Sequence, residues 1–534
     1  MLTIFNILIA IILGGCMFYI GKQTLFCSRW WLYLIFAIAL SSDILFCNQG
    51  YSIFEFAVST SLGLSVALPI YIFTSYPIFK KSWLKIVPPI LDAILLLLAI
   101  TPQVIRISMG LRYFNEECFI VLLQSNIQEI LSFFYEKSST LSILGFILFF
   151  ITIIIASLRN NILILKRSIL IASGILCICS FIFSAYLSNG IHFAQIYADN
   201  YYRKIEYLKR NINADYSIFS QLKQDSLTFV IVIGESVSRD YMSAYGYYNT
   251  TTPNLKELVS TGDLLRFNNS YSPDIKTVDC IPKALTSKSQ FCESIDYILF
   301  NLLQSKGYFT AWVGNQAGSG FNDNPVAILS SCANYRVFSE DIKGEDMQLL
   351  PHVKKLLNEK NQKKLIVIHL KGSHYPYDLA YPKDVECDLV KASTTLEHYE
   401  NSLRYHDMFM KELISILSPY QNLICLYTSD HGEKPGVTRM NDYFDFSMVR
   451  VPFMIYFSSN LRNIESYEIL KKHINCYWSN ELLFNLVCGL AGITNKEILP
   501  LDKDLSSNSY NLTKNSFTHQ NGHFKMIDDC YDTK

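Results

Sequence analysis

The chain has 534 residues, and its 46 lysines and arginines are balanced by 46 aspartates and glutamates, for a formal net charge of zero. No global field argues for nucleic acid, and the basic residues are dispersed rather than gathered in a run. Half the residues are hydrophobic and 14% aromatic, an average over two unlike parts: residues 1–190 are strongly apolar, whereas residues 200–534 have the makeup of an ordinary α/β protein.

Apolar runs fall near 2–20, 30–47, 53–73, 84–105, 141–158 and 168–188. Each is long enough for a helix to cross roughly 30 Å of hydrocarbon. Helices so sparsely charged leave a soluble bundle without a polar face, so the sequence predicts a transmembrane helical domain of about six spans over 1–190. Lys22 and Arg29, then Lys80, Lys81 and Lys85, then Arg159, Lys166 and Arg167 lie in alternate loops, while the loop at 48–52 carries no positive charge. The positive-inside rule places those basic loops in the cytoplasm and the large carboxy-terminal part outside. The first segment has no basic residue before it and no small-residue cleavage site, so it reads as a retained span. Between the fourth and fifth spans, residues 106–140 form an extracytoplasmic loop whose 119–134 stretch alternates apolar and polar positions at helical spacing, as an interfacial helix would.

Residues 191–225 read as an amphipathic linker, rich in tyrosine and long basic side chains suited to an interface. Beyond it, residues 226–534 alternate strand and helix patterns. Strands are predicted at 227–233, 308–313, 364–369, 422–428 and 451–457, and helices at 253–260, 296–305, 347–358, 395–417 and 480–490. That alternation predicts a mostly parallel sheet with helices on both faces. The polar tail after about 503 is expected to be poorly ordered. Eight cysteines fall in this part: Cys280, Cys292, Cys332, Cys387, Cys425, Cys476, Cys488 and Cys530. An oxidising compartment permits disulfides among them; the spacing leaves the pairing open, although Cys280 with Cys292 would close a short loop. Cys425, inside a strand pattern, reads as a buried thiol.

Two strand patterns end on metal-ligand residues. The run 227–233 leads into Gly234-Glu235-Ser236, and the run 422–428 leads into Ser429-Asp430-His431-Gly432-Glu433. An open α/β sheet assembles its site at the carboxyl ends of such strands, and this oxygen and imidazole mixture suits zinc, which can hold a hydroxyl nucleophile in a remaining position. Thr277 lies on a loop between them. A threonine hydroxyl is a weak nucleophile at neutral pH unless its pKa is lowered.

Gly234-Glu235-Ser236, Arg239, Tyr245-Gly246-Tyr247 and Thr252-Pro253-Asn254-Leu255 resemble the opening motif of the phosphoethanolamine transferases, inner-membrane members of the alkaline phosphatase/sulfatase superfamily. Ser429-Asp430-His431-Gly432-Glu433 resembles their second metal motif. Lys276-Thr277-Val278-Asp279-Cys280-Ile281-Pro282 is similar to the loop carrying their nucleophilic threonine, five residues before a proline. The resemblance implies an α/β/α alkaline-phosphatase-like (sulfatase-like) domain after a multi-span membrane domain, in the inner membrane of a Gram-negative bacterium with the catalytic domain in the periplasm. It implies zinc, one ion with room for a second, bound by Glu235, Thr277, Asp430 and His431, with Thr277 becoming phosphoethanolaminated. It further implies substrate contacts from His374, from the amides of Asn315 and Gln316, and from Glu129 in the Gln124–Glu129 stretch. The implied donor is phosphatidylethanolamine and the implied acceptor lipid A or another lipopolysaccharide group; a monomer is expected.

The chain departs from the family pattern where Gly318-Ser319-Gly320 replaces a lysine, where residues 440–445 lack a histidine, and where an apolar residue replaces an asparagine early in the membrane-proximal loop. Three other readings compete. A sulfatase is suggested by Cys280-Ile281-Pro282-Lys283-Ala284, which lacks the arginine of that signature. A glycerophosphoryl transferase would share the anchor, threonine and metal. A non-catalytic binding module would have kept only the fold. Among the remaining histidines, His369 reads as packed or supporting a ligand, and His398 and His406 as solvated or structural.

Overall fold

The computed structural model describes residues 214–221, 227–291, 297–316, 325–338, 345–360, 363–382, 389–437 and 444–530, together with Glu206. These lie in the second of two compact units, Tyr202–Lys534. The expected spans, Glu129, the loop 106–140 and most of the expected linker lie outside the described residues. Among the described residues no helix is long and apolar enough to cross a membrane.

The main sheet is built from β1 (Thr228–Gly234), β2 (Leu264–Arg266), β3 (Phe309–Gly314), β4 (Tyr335–Val337), β5 (Lys364–His369), β6 (Leu423–Ser429) and β7 (Phe453–Phe457). The principal helices are α1 (Pro253–Ser260), α2 (Thr277–Leu285), α3 (Leu299–Ser305), α4 (Pro325–Ser331), α5 (Leu350–Asn358), α6 (Thr395–Leu417), α7 (Glu465–Lys472) and α8 (Leu483–Leu490). The seven strands lie in the order β2-β7-β6-β1-β5-β3-β4. Five of them, β6 through β4, run parallel; β7 is antiparallel to both its neighbours. The sheet is mostly parallel, as the alternation of strand and helix patterns predicted.

β1 sits at the centre, and Phe229 through Ile233 are essentially inaccessible. A strand covered on both faces reads as a continuous apolar run rather than an alternation. Val230 and Val232 join one core cluster with Leu255 of α1, Val353 of α5 and Leu403, Phe409 and Leu413 of α6. Side chains alternate across a strand, so Trp312 of β3 faces the other layer, where its ring lies 6.2 Å from Phe300 of α3. Helices thus cover both faces. Each fully buried apolar side chain of this kind contributes roughly 1.5–3 kcal/mol.

α6 begins in a capping box, with the Thr394 hydroxyl accepting from Glu397 N and Glu397 reaching back. One of its own residues, Asp407, then caps α1, accepting from Asn254 N at 2.9 Å and Leu255 N at 2.8 Å. The predicted helices 253–260 and 395–417 match α1 and α6 residue for residue. The short strands β2 and β4, three residues each, were not legible.

Two expectations are corrected. Thr277 is not on a loop but is the first residue of α2. Residues 504–530 are ordered: Thr518–His519 and Phe524–Lys525 pair as a hairpin, and His519 and Asp529 are each 1% exposed. The described cysteines, Cys280, Cys332, Cys425, Cys476, Cys488 and Cys530, are free thiols, Cys425 buried as read from sequence.

Candidate active site

Strand register assembles the site. Gly234 at the end of β1 pairs with Ser429 at the end of β6, so the next residues, Glu235 and Asp430, emerge side by side at the carboxyl edge. On the other side, Ile233 pairs with His369 of β5, which pairs in turn with Gly314 of β3. Four strand ends therefore deliver Glu235, Asp430, His369 and Asn315 to one rim. Gly372 of the β5 exit loop, at φ +54°, presses on Glu235: a Cβ there would lie 2.8 Å from Glu235 N. Only glycine accommodates both conditions.

Ser236 holds a left-handed φ of 60°, a strained state for a non-glycine residue that persists only when surrounding bonds over-determine it. Here Ser236 N donates to Asp430 Oδ1 at 3.0 Å, Ser236 Oγ to Glu235 Oε1 at 2.9 Å, and the Tyr399 hydroxyl to Ser236 O at 2.9 Å. Across the rim, Asn480 Nδ2 donates to the carbonyls of Ser429 and Asp430 at 2.8 and 2.9 Å. Both ligand-bearing turns are fixed from outside themselves. Tyr399 and Asn480 were missed in the sequence, since their partners lie far along the chain.

Glu235, Asp430 and His431 are buried, and one ligand atom from each lies within 4.8 Å of the others. His431 Nε2 is 3.4 Å from Glu235 Oε1 and 3.2 Å from Asp430 Oδ2. His431 Nδ1 lies 2.8 Å from the Gly432 carbonyl, which can only accept. Nδ1 therefore carries the proton, and Nε2 turns a lone pair toward the carboxylates. Asp430 Oδ2 is buried with no hydrogen-bond partner among the described residues. A lone pair facing an unsatisfied carboxylate oxygen in a dry site needs a cation or a proton between them, so this set fits a metal ion. Without one, burial and the Glu235 charge push Asp430 up to about 7, against smaller opposing effects of His431 and Thr277. Burial also acts to raise Glu235, but a proton on the His431 ring, with smaller help from the neighbouring His374 and His369, would outweigh it and hold Glu235 well below the usual carboxylate range. The pair thus holds one negative charge where two ligands stand ready.

Thr277 Oγ1 lies 3.1 and 3.3 Å from the Glu235 carboxylate oxygens and 3.4 Å from His431 Nε2. The four residues predicted as ligands converge. As the first residue of α2, Thr277 also sits at the positive end of a helix dipole. Cys280, one turn on, is fully buried with Sγ 3.2 Å from the Asp274 carbonyl, and burial drives its thiol pKa far up. The hydroxyl, not the thiol, meets the cluster.

The other sequence-predicted residues divide. Gln316 Nε2 donates to Glu235 Oε2 at 3.0 Å and to Leu370 O at 3.1 Å, and lies 3.2 Å from His369 Nε2. It therefore orients a ligand carboxylate. His369 is packed beneath, 3.9 Å from Glu235 Oε2; burial lowers its pKa to about 4 despite the Glu235 charge. It supports the carboxylate as a neutral ring. Asn315 turns to Asp346, donating at 2.9 Å, and Asp346 accepts from Lys371 N and Gly372 N, each at 2.9 Å. Asn315 shapes the β5 exit loop and is not in the ligand cluster. His374, on that loop, is half-buried and near enough that its charge lowers Glu235. The departures at 318–320 and 440–443 lie outside the described residues.

With this geometry the chain can be set beside known proteins. Residues 228–493 match the sulfatase family. The domain belongs to that family. The sulfatase-type domain resembles the phosphoethanolamine transferase EptC of Escherichia coli K12, with 30% identity over 260 residues, 43% of this chain and 45% of the relative. The chain thus spans less than half the length of that relative. Among solved structures it is similar to the C-terminal periplasmic domain of Escherichia coli EptC in complex with Zn, at TM-score 0.52 and 23% identity, covering 59% of this chain and 96% of that one. It is also similar to the integral membrane lipooligosaccharide phosphoethanolamine transferase A of Neisseria meningitidis, at TM-score 0.60 and 17% identity, covering 89% of this chain and 97% of that one. At these identities the structural likenesses establish the fold.

Proposed function

We propose that this protein is a zinc-dependent phosphoethanolamine transferase that moves the group from phosphatidylethanolamine to lipid A or another lipopolysaccharide group through a covalent adduct on Thr277. The observation that carries the reading is Thr277 Oγ1 within hydrogen-bond reach of Glu235 and His431 in a buried cluster fitted to a cation. Glu235, Asp430, His431 and Thr277 would hold zinc, which when bound lowers the hydroxyl pKa and screens the phosphoryl charge.

Within the chain, Glu235 accepts the Thr277 hydroxyl and Gln316 keeps that carboxylate turned toward it. Thr277 Oγ1 attacks the donor phosphorus, a new O–P bond forms, and the bond to the diacylglycerol oxygen breaks. That oxygen takes up the proton given up by the Thr277 hydroxyl as diacylglycerol leaves. An acceptor phosphate or hydroxyl then attacks the same phosphorus and frees Thr277, giving ping-pong kinetics. His374, on the rim loop, is placed to donate to the phosphoryl oxygens.

The membrane assignment belongs to the same proposal. Six apolar runs over 1–190 and the likeness to an integral membrane protein over 89% of the chain support a multi-span anchor in a bacterial inner membrane, with this domain in the periplasm and with Glu129 near the lipid headgroup. Zinc in the similar EptC domain supports the choice of metal. Adding a cationic ethanolamine to the outer surface would weaken binding of cationic peptides. The test is mass spectrometry of lipopolysaccharide from otherwise identical cells with and without the chain. Phosphoethanolamine on the glycolipid only when the chain is present is expected; unchanged profiles would remove the acceptor.

A further inference from the structure

We propose that the carboxy-terminal segment 514–530 is a positioning strap for Thr277; the proposal rests on the reading of Thr277 as the nucleophile. α2 cannot fix its own start. Lys276 supplies no side-chain cap, and Pro282 inside the nine-residue helix removes a backbone donor. A helix this short is marginal without outside contacts, so something else must set where Thr277 stands.

The strap touches α2 before, along and after its length. His519 Nδ1 donates to Ser272 O at 2.8 Å and Gln520 N to Pro273 O at 2.9 Å, on the approach to Thr277. Lys283, in the last turn of α2, donates to Asn521 Oδ1 at 3.1 Å. Past the helix, Gln290 Oε1 accepts from Thr518 N at 2.9 Å.

The strap is itself locked to the other half of the site. Asp529, 1% exposed, accepts from Arg450 Nε at 2.8 Å and Nη2 at 2.5 Å, and from the Tyr271 hydroxyl at 3.0 Å. A buried carboxylate this fully paired by a planar guanidinium fork is geometrically specific. Arg450 ends the segment 447–450 that packs on Gly432: Gly432 N donates to Met448 O at 2.7 Å, and a Cβ on Gly432 would run into Ser447 O. One continuous set of contacts therefore joins the backbone leading to Thr277 with the backbone following His431. Its function is to hold the hydroxyl against the ligand cluster, where an error of about an ångström slows an attack by orders of magnitude.

The test uses the full chain, zinc-loaded in detergent micelles with phosphatidylethanolamine, and follows the adduct on Thr277 by mass spectrometry alongside bound zinc and the melting temperature. His519→Leu deletes the donor to Ser272 O; His519→Asn places an amide N–H near the same point. His519→Leu is expected to slow adduct formation about tenfold or more at unchanged zinc content, a loss larger than its modest fall in melting temperature accounts for, and His519→Asn to restore most of the rate. Wild-type rates in His519→Leu would overturn the proposal. So would equal impairment of both variants with zinc and melting temperature falling in step, since the strap would then only hold the fold together. A wild-type chain that never gains the adduct strikes the nucleophile reading instead, which keeps the two failures apart.

Discussion

Asp430 Oδ2 and His431 Nε2 stand 3.2 Å apart in a buried site, and with the His431 proton committed to the Gly432 carbonyl they present two lone pairs to each other. Such a pair is stable only with a cation or a shared proton between them. Burial and the neighbouring Glu235 charge add to that demand, raising the Asp430 pKa to about 7.

Metal removal should therefore destabilise the protein. Chelation is expected to lower the melting temperature by several degrees and added zinc to restore it, since a ligand at a hundredfold excess over Kd stabilises by about 2.7 kcal/mol. Calorimetry with and without chelator measures it. Asp430→Ala, with no second carboxylate to bridge, should show no zinc-dependent shift.

Gln316 turns its amide to Glu235 Oε2, so Gln316→Leu should leave the fold intact and weaken zinc binding about 10–100-fold, the usual effect of removing a residue that orients a ligand. Competition against a chromogenic chelator reads this directly. Asn315→Leu should act differently: it strips a donor from buried Asp346 and should cost stability, about 1–3 kcal/mol.

How far the sequence carried the argument depends on where each contact partner sits. Glu235, Asp430 and His431 were legible because long buried strands end on them and the register does the rest. α1 and α6 were legible as helical patterns alternating with strands. The amide of Asn315 goes to Asp346, 31 residues away, and no local pattern announces that. The helical setting of Thr277 was hidden by Pro282, which reads as a breaker but is tolerated late in α2. The polar tail looked disordered because its order comes from Asp529 meeting Arg450 and Tyr271, contacts that composition does not encode.

Asp407 gives a pH test away from the metal site. Burial raises its pKa to about 6 against the bonds from Leu255 and Asn254. A folded-state pKa above the unfolded value means that its contribution is complete below pH 3.8 and is lost as pH rises through about 6. The stability difference between wild type and Asp407→Asn should thus move against the wild type over that window, by on the order of 3 kcal/mol. Denaturant titrations of both proteins at several pH values between 4 and 7 provide the comparison; a flat difference would contradict the assignment.

The central claim is that the Thr277 hydroxyl carries the transferred group. The most direct measurement is peptide-level mass spectrometry of the full-length, zinc-loaded protein after brief incubation with phosphatidylethanolamine and no acceptor. The account predicts phosphoethanolamine on the Thr277 peptide, absent in Thr277→Ala although that variant folds and still binds zinc, more weakly, through Glu235, Asp430 and His431. Transfer to an acceptor that persists in Thr277→Ala, or an adduct on another residue, would contradict it.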